Sequence, residues 1–266
     1  MSGLSLLAIG ALFCFASMTA LWVLGRRLAN FSFVDLGWSS HFAVLALLYG
    51  LLAPGWPYRR LLIGGMYALW SLRLALHLAT RIIGEPEEGR YRSLREEWSA
   101  GGNLNLKFYA FFQFQGALNV FLALPLLVAC LNPRPSLSVV EWIGFAIFVV
   151  AIVGESMADA TLARFKADPA NRGRVCDHGL WRYSRHPNYF FEWLIWVAYA
   201  AFALGSPPWG YVGLLMPPLM LHFLLNVTGI KATEEQSLKS RGEAYRHYQA
   251  TTSAFVPWFP RRLPRD

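Results

Sequence analysis

The chain has 266 residues, of which 55% are hydrophobic and only 15% charged, and its formal net charge is +8. A soluble domain carries about 25% charged residues, so this composition excludes an ordinary water-soluble globule and points to an integral membrane protein. The basic residues adjoin apolar stretches, which argues against nucleic acid as a partner and leaves anionic lipid headgroups or an anionic ligand.

Seven stretches are long and apolar enough to cross a hydrocarbon core of roughly 30 Å, which takes about 20 helical residues. They are Leu4–Gly25, Phe33–Ala53, Leu61–Thr80, Phe108–Leu131, Val139–Met157, Tyr189–Leu204 and Trp209–Ile230. The first has a long apolar run, no basic start, and Arg26 and Arg27 behind it, so it reads as a retained helix and not a cleaved signal. Connections alternate between short ones (Pro54–Arg60, Asn132–Pro135, Gly205–Pro208) and long ones (Arg81–Lys107, Ala158–Asn188, the tail from Lys231). Of the 24 Lys and Arg residues, Arg59, Arg60 and Arg134 fall with the short set and Arg73 inside a helix, while the other 20, Arg262 and Arg265 included, fall on the opposite side. The positive-inside rule then puts the N-terminus outside and the C-terminus in the cytoplasm. Residues 1–266 read as a single all-α membrane domain of seven transmembrane helices, with a cytoplasmic face made by loops 81–107 and 158–188 and tail 231–266. Cys14, Cys130 and Cys176 have neither metal-ligand nor disulfide spacing and read as free structural thiols.

Polar residues within the spans come next, because each ionisable group there costs at least about 2.5 kcal/mol. Asp35 opens the second span. Arg73 and His77, Glu155 and Asp159, and Asn188 and Glu192 are each four apart and share a helix face. Any one pair can be interhelical glue; the set together is better explained by a ligand-filled cavity. The densest stretch is Gly179–Glu192. Pro187 suits a first helical turn, so a helix starts near His186 with its free N–H groups facing Arg182 and Arg185, and Arg172 and Arg174 precede them. A diphosphate or carboxylate fits such a helix start, and Asn188 and Glu192 offer directional bonds to a ring amide or ribose. The alternative is a loop that binds lipid headgroups. In the tail, Tyr245 and Tyr248 share a face; they either stack on a flat cofactor ring or, by a small margin the preferred expectation, anchor the tail at the membrane interface.

Several of these stretches resemble the steroid 5-alpha-reductase superfamily, in its bacterial branch: Asn30–Trp38, Trp70–Arg73, Glu88–Arg92, Gln115-Gly116 and, most specifically, Gly179–Glu192. The resemblance implies a seven-helix enzyme of the bacterial inner membrane that reduces a carbon–carbon double bond conjugated to a carbonyl in a lipid, with NADPH as cofactor. It implies a substrate-side set of Asp35, Trp70 (where relatives have a tyrosine) and Arg73. It implies cofactor contacts from Glu155 (where relatives have asparagine), Asp159, Lys166 and Arg174, from Arg182, Tyr183, Arg185 and His186 in the motif, from Asn188 and Glu192 on the nicotinamide side, and from Tyr248. Arg185–Tyr189 followed by Glu234-Glu235 also resembles the isoprenylcysteine carboxyl methyltransferases, which would make S-adenosylmethionine the cofactor; a phospholipid methyltransferase would share the pattern. A non-enzymatic lipid-binding protein is the third expectation. The expected surroundings are a lipid-like substrate and membrane lipids, with no nucleic acid, metal or obligate protein partner.

Overall fold

The computed structural model describes residues 1–99, 101–227 and 229–261, and the regular structure among them is helical, with no strand. Arg262 and Arg265 lie outside the described residues. Six helices are long and apolar enough to cross a membrane: Gly3–Arg27, Phe33–Leu52, Pro57–Ile82, Leu104–Leu131, Val139–Ala167 and Trp209–Val227. The protein is therefore a multi-pass membrane protein. The expected span at Tyr189–Leu204 forms a helix of 17 residues, Pro187–Ala203, and is not among those six.

The chain groups into two compact units, residues 1–138 with 203–210, and residues 139–202 with 211–266. The first contains α1 (Gly3–Arg27), α2 (Phe33–Leu52), α3 (Pro57–Ile82), α4 (Gly89–Ser99), α5 (Leu104–Leu122) and α6 (Leu124–Leu131). Ser2 caps α1 by accepting from the Ser5 amide at 3.2 Å, Arg26 and Arg27 close its last turn, and Pro57 opens α3. These are favoured chemistries for the two ends of a helix. Pro125 sits where α5 gives way to α6, since proline cannot donate to the carbonyl four residues back. Gly55 approaches the Cys130 carbonyl so closely that a Cβ would lie 2.2 Å from it, and its amide donates there at 3.1 Å.

Two details of this unit depart from the expected loops. Residues 81–107 are not simply a polar connection: α4 lies within them, and Tyr91 packs with Met18, Phe31, Val34, Phe108 and Phe112 in a buried cluster, with Leu94 and Trp98 against it. Phe31 and Phe108 stack at 3.8 Å, and Arg95, bridged to Glu87 at 2.8 Å, lies over the Phe31 ring. Arg59, expected as an external loop charge, is fully buried and donates to the carbonyls of Asn132 (3.2 Å), Arg134 (2.6 Å) and Ser136, so it shapes the 132–136 turn.

The second unit contains α7 (Val139–Ala167), α8 (Pro187–Ala203), α9 (Met216–His222), α10 (Ile230–Arg241) and α11 (Glu243–Thr251). Helix α7 runs ten residues beyond the expected end of its span, because 158–167 is rich in good helix formers and ends in Arg164 and Lys166, which complement the helix dipole. At Gly144 a Cβ would meet the Phe202 amide nitrogen at 2.7 Å, so α7 and α8 pack with backbone nearly touching backbone. A π turn at Phe223–Val227 ends the apolar stretch before α10. Cys14, Cys130 and Cys176 are buried free thiols.

Candidate functional site

Residues Gly179–Glu192 and the tail meet within the second unit, and Arg185 is the hub. Its Nε donates to Glu234 Oε1 at 2.6 Å, its Nη1 donates to the carbonyls of Gln249 (3.0 Å) and Thr252 (2.5 Å), and its amide donates to the Ser253 carbonyl at 2.8 Å. His186 Nε2 lies 3.2 Å from the same Glu234 oxygen, and Gln249 Nε2 donates to the other at 2.9 Å. Burial alone would raise the Glu234 pKa, but hydrogen bonds from His186 and Arg185 and the Arg185 charge outweigh it and bring the carboxyl down to about 2. Ser184 Oγ donates to the Phe255 carbonyl at 2.8 Å, and Trp258 donates its amide to the Tyr183 carbonyl at 2.8 Å. Residues 183–185 thereby hold the extended segment after α11 along its length.

Tyr248 completes this clasp and does not offer its ring to solvent. It is 6% exposed, its hydroxyl donates to the carbonyls of Trp181 and, at 3.2 Å, Ser184, and burial pushes its phenol pKa up. Tyr245 packs edge-on to it at 5.8 Å. Both rings are packed under the loop, so neither presents a free face on which a flat cofactor ring could stack. Arg185, through Nε and Nη1, and His186, through Nε2, likewise face the tail. Arg182 and Tyr183 are both exposed, the Tyr183 ring standing edge-on to Phe259 at 6.1 Å.

A polar row runs down α7. Glu155, Asp159 and Lys166 fall at intervals of four and seven on one face, so the row covers about 16 Å of helix. Glu155 is buried, Asp159 half-buried and Lys166 exposed. Asn188 Nδ2 donates to Asp159 Oδ1 at 3.2 Å. Its buried Oδ1 accepts no hydrogen bond from the described residues. Glu192 Oε1 accepts from Trp196 Nε1 at 3.0 Å, one turn further along α8.

Beyond the charged end of that row lies a cleft of about 360 Å³ lined by Phe165, Lys166, Asp168, Asn171, Arg172, Gly173, Arg174 and Arg241 among others. Four cations face it. Asp168 is engaged in the turn it caps, accepting from the Ala170 amide at 2.9 Å. Arg241 Nε donates to the Arg174 carbonyl at 2.9 Å, which fixes the loop across the tail. Arg241 was missing from the expected set, as was Glu234. A second cleft, of about 430 Å³, lies along Arg185, Gln249–Ala254, Val256, Trp258, Phe259 and Arg261.

The expected substrate-side residues sit in the first unit. Asp35 is half-buried and its Oδ1 accepts from the Tyr91 hydroxyl at 2.6 Å. The cations facing it are Arg90 on α4 and Arg81 in the last turn of α3, with Glu88 alongside. Tyr91 is fully buried, and burial pushes its phenol pKa well up. Trp70 is fully buried against Trp38 and Phe42, at 6.3 and 5.2 Å between ring centroids, and Arg73 is half-buried. Tyr67 donates to the Leu122 carbonyl at 3.2 Å.

The DUF1295 family, described as proteins of unknown function, matches residues 21–252. That family is associated with steroid 5-alpha-reductase-like proteins. An uncharacterised protein of Schizosaccharomyces pombe is 26% identical over 289 residues, which covers 94% of this chain and 79% of the relative. No solved structure matches.

Proposed function

From the premise that the chain belongs to the DUF1295 family, we propose that it is a membrane reductase that uses NADPH to saturate a carbon–carbon double bond conjugated to a carbonyl in a lipid. In this proposal α8 is a seventh span and the C-terminus is cytoplasmic, in a bacterial inner membrane. The observation that carries it is the four-cation cleft at the end of the α7 polar row. A ligand with several phosphate charges at one end and an amide-bearing ring at the other suits a row that passes from Lys166, Arg172, Arg174 and Arg241 to the Asp159–Asn188 pair. The orphaned Asn188 Oδ1 is an acceptor for a carboxamide N–H, and a buried amide oxygen without a partner is costly unless something fills it.

NADPH, when bound, supplies the hydride. The chain's own residues bind and orient. The cations neutralise phosphate through charge-assisted hydrogen bonds, Asn188 is held at a fixed rotation by Asp159, and the Arg185–Glu234 clasp keeps the tail, and with it α10 and Arg241, in place. Asp35, whose Oδ1 accepts from the Tyr91 hydroxyl at 2.6 Å, is the residue that the resemblance implies on the substrate side. Trp70 is not assigned the role of proton donor, because an indole N–H donates a hydrogen bond but is not an acid.

A second proposal is an S-adenosylmethionine-dependent methyltransferase of the isoprenylcysteine carboxyl or phospholipid type. The contact of Arg185 and His186 with Glu234 favours it, since it joins the two segments that carry that resemblance. One experiment separates them: thermal stabilisation of the purified protein in detergent by NADPH, NADH and S-adenosylmethionine, followed by deuteride transfer from labelled NADPH to a panel of enone lipids. Stabilisation by S-adenosylmethionine without any by NADPH would overturn the reductase and leave the methyltransferase.

A further inference from the structure

The first unit contains a chain of polar groups that the reductase chemistry does not use. Asn119 on α5 donates from Nδ2 to the Trp38 carbonyl at 2.9 Å; its Oδ1 lies 3.0 Å from His41 Nδ1 on α2; and His41 Nε2 lies 2.8 Å from Ser17 Oγ on α1. The direction of every bond follows from one end. A carbonyl only accepts, so Asn119 must turn its NH₂ to Trp38 and its oxygen to His41. His41 then carries its hydrogen on Nδ1 and presents a lone pair at Nε2. The Ser17 hydroxyl must therefore give its proton to that lone pair. Hydroxyl, base and orienter stand in the order of a nucleophilic constellation, each on a different helix.

Exposure matches that order. His41 is 2% exposed and Asn119 fully buried, and the edge of Phe13 packs on the imidazole at 5.1 Å. Ser17 is only half-buried, on a helix whose Leu12 and Phe15 are 68% and 53% exposed. Base and orienter are thus sealed, and Ser17 is the least buried member of the trio, on a helix that carries exposed apolar side chains. A histidine within a membrane helix is a functional-site candidate by its cost alone, and the low dielectric strengthens the bonds that polarise the serine.

We propose that Ser17 is the nucleophile of a second site, which takes acyl esters of bilayer lipids. Ser17 Oγ forms a bond to the ester carbonyl carbon while its proton passes to His41 Nε2. The bond from that carbon to the ester oxygen breaks, and the departing alcohol takes the proton from His41, leaving acyl-Ser17. Attack by a lipid alcohol or water, with His41 again accepting and returning the proton, releases the acyl group and restores the hydroxyl. Asn119 is a positioning residue that holds the tautomer. The proposal is independent of any cofactor.

The test uses a long-chain alkyl fluorophosphonate on the purified full chain, read by intact mass and peptide mapping. Attack forms the phosphorus–oxygen bond and expels fluoride. One adduct on Ser17 is expected, absent from the heat-denatured chain and from Ser17→Ala. His41→Gln should slow labelling by about 10²-fold or more, the usual contribution of a general base. If His41→Gln does not fold, the comparison of wild type with Ser17→Ala decides alone. An unlabelled wild-type chain, an adduct elsewhere, or a folded His41→Gln that labels at the wild-type rate would overturn the proposal and leave the trio as a bridge between helices.

Discussion

Replacing Glu234 by glutamine tests whether the tail clasp is held by charge. The carboxyl is lowered from an ordinary 4.5 to about 2 by His186 and Arg185 against the opposing effect of burial. At 1.36 kcal/mol per unit, that depression corresponds to about 3 kcal/mol. Its side chain is 16% exposed and that of Arg185 10%, and breaking a buried pair by removing one partner costs about 3–5 kcal/mol. Glu234→Gln keeps the size and an acceptor for Gln249 but leaves the Arg185 charge without its counter-ion. Hydrogen exchange of the clasp amides, those of Arg185 and Trp258, should accelerate by about 10²-fold if local opening gains that much free energy. The sign with pH follows from the depression. Stability from a lowered carboxyl is fully present above the unfolded pKa, near 4.5, and is lost as pH falls through the folded value near 2. Wild-type thermal stability should decline across that window, and the Glu234→Gln decline should be smaller. Exchange rates within about threefold of wild type at pH 7, a change of under 1 kcal/mol, would refute the role of charge in the clasp.

Further outcomes are expected elsewhere. Arg174→Ala and Arg241→Ala should each weaken NADPH by about 10- to 100-fold, the effect of losing a charge-assisted hydrogen bond, and should leave the binding of a nicotinamide fragment unchanged; equal losses for both ligands in a binding titration would assign them to the fold. Asp35→Asn still accepts from Tyr91, so it should fold and bind NADPH but lose most turnover; undiminished turnover would remove Asp35 from the reaction. Reporter fusions should be active on the cytoplasmic side at the C-terminus and on the opposite side at the N-terminus, and a periplasmic C-terminal reporter would reverse the topology drawn from charge.

Six of the seven expected spans were legible because hydrocarbon imposes length and apolarity on a crossing segment. The start of α8 at Pro187 was legible too, because proline has few places to sit. Helix α4 was missed, although its signal is present: Tyr91, Leu94 and Trp98 recur at helical spacing on an otherwise charged stretch, and those side chains meet the Phe31–Phe108 cluster. Charge hid the stripe. The clasp was not legible. Arg185 and Glu234 are 49 residues apart, and Tyr248 reaches carbonyls 67 and 64 residues away. Nothing in local spacing distinguishes an arginine that will cradle a loop from one that will cradle a phosphate. Arg182 and Arg185 look alike in sequence, yet one is exposed and the other is enclosed by the tail.

Helix α7 has 29 residues and so measures about 43 Å, longer than the roughly 30 Å hydrocarbon layer it crosses. The same rigid rod carries Glu155, Asp159 and Lys166, so the depth of each is set against the bilayer as marks on a dipstick. A thicker membrane draws the lower marks towards oil and a thinner one bathes them in water, unless the rod tilts to compensate. The lipid composition of the host membrane then becomes a dial on the polarity around Asp159 and Asn188, and ligand affinity should differ between reconstitutions in short-chain and long-chain phospholipid even though no side chain has changed.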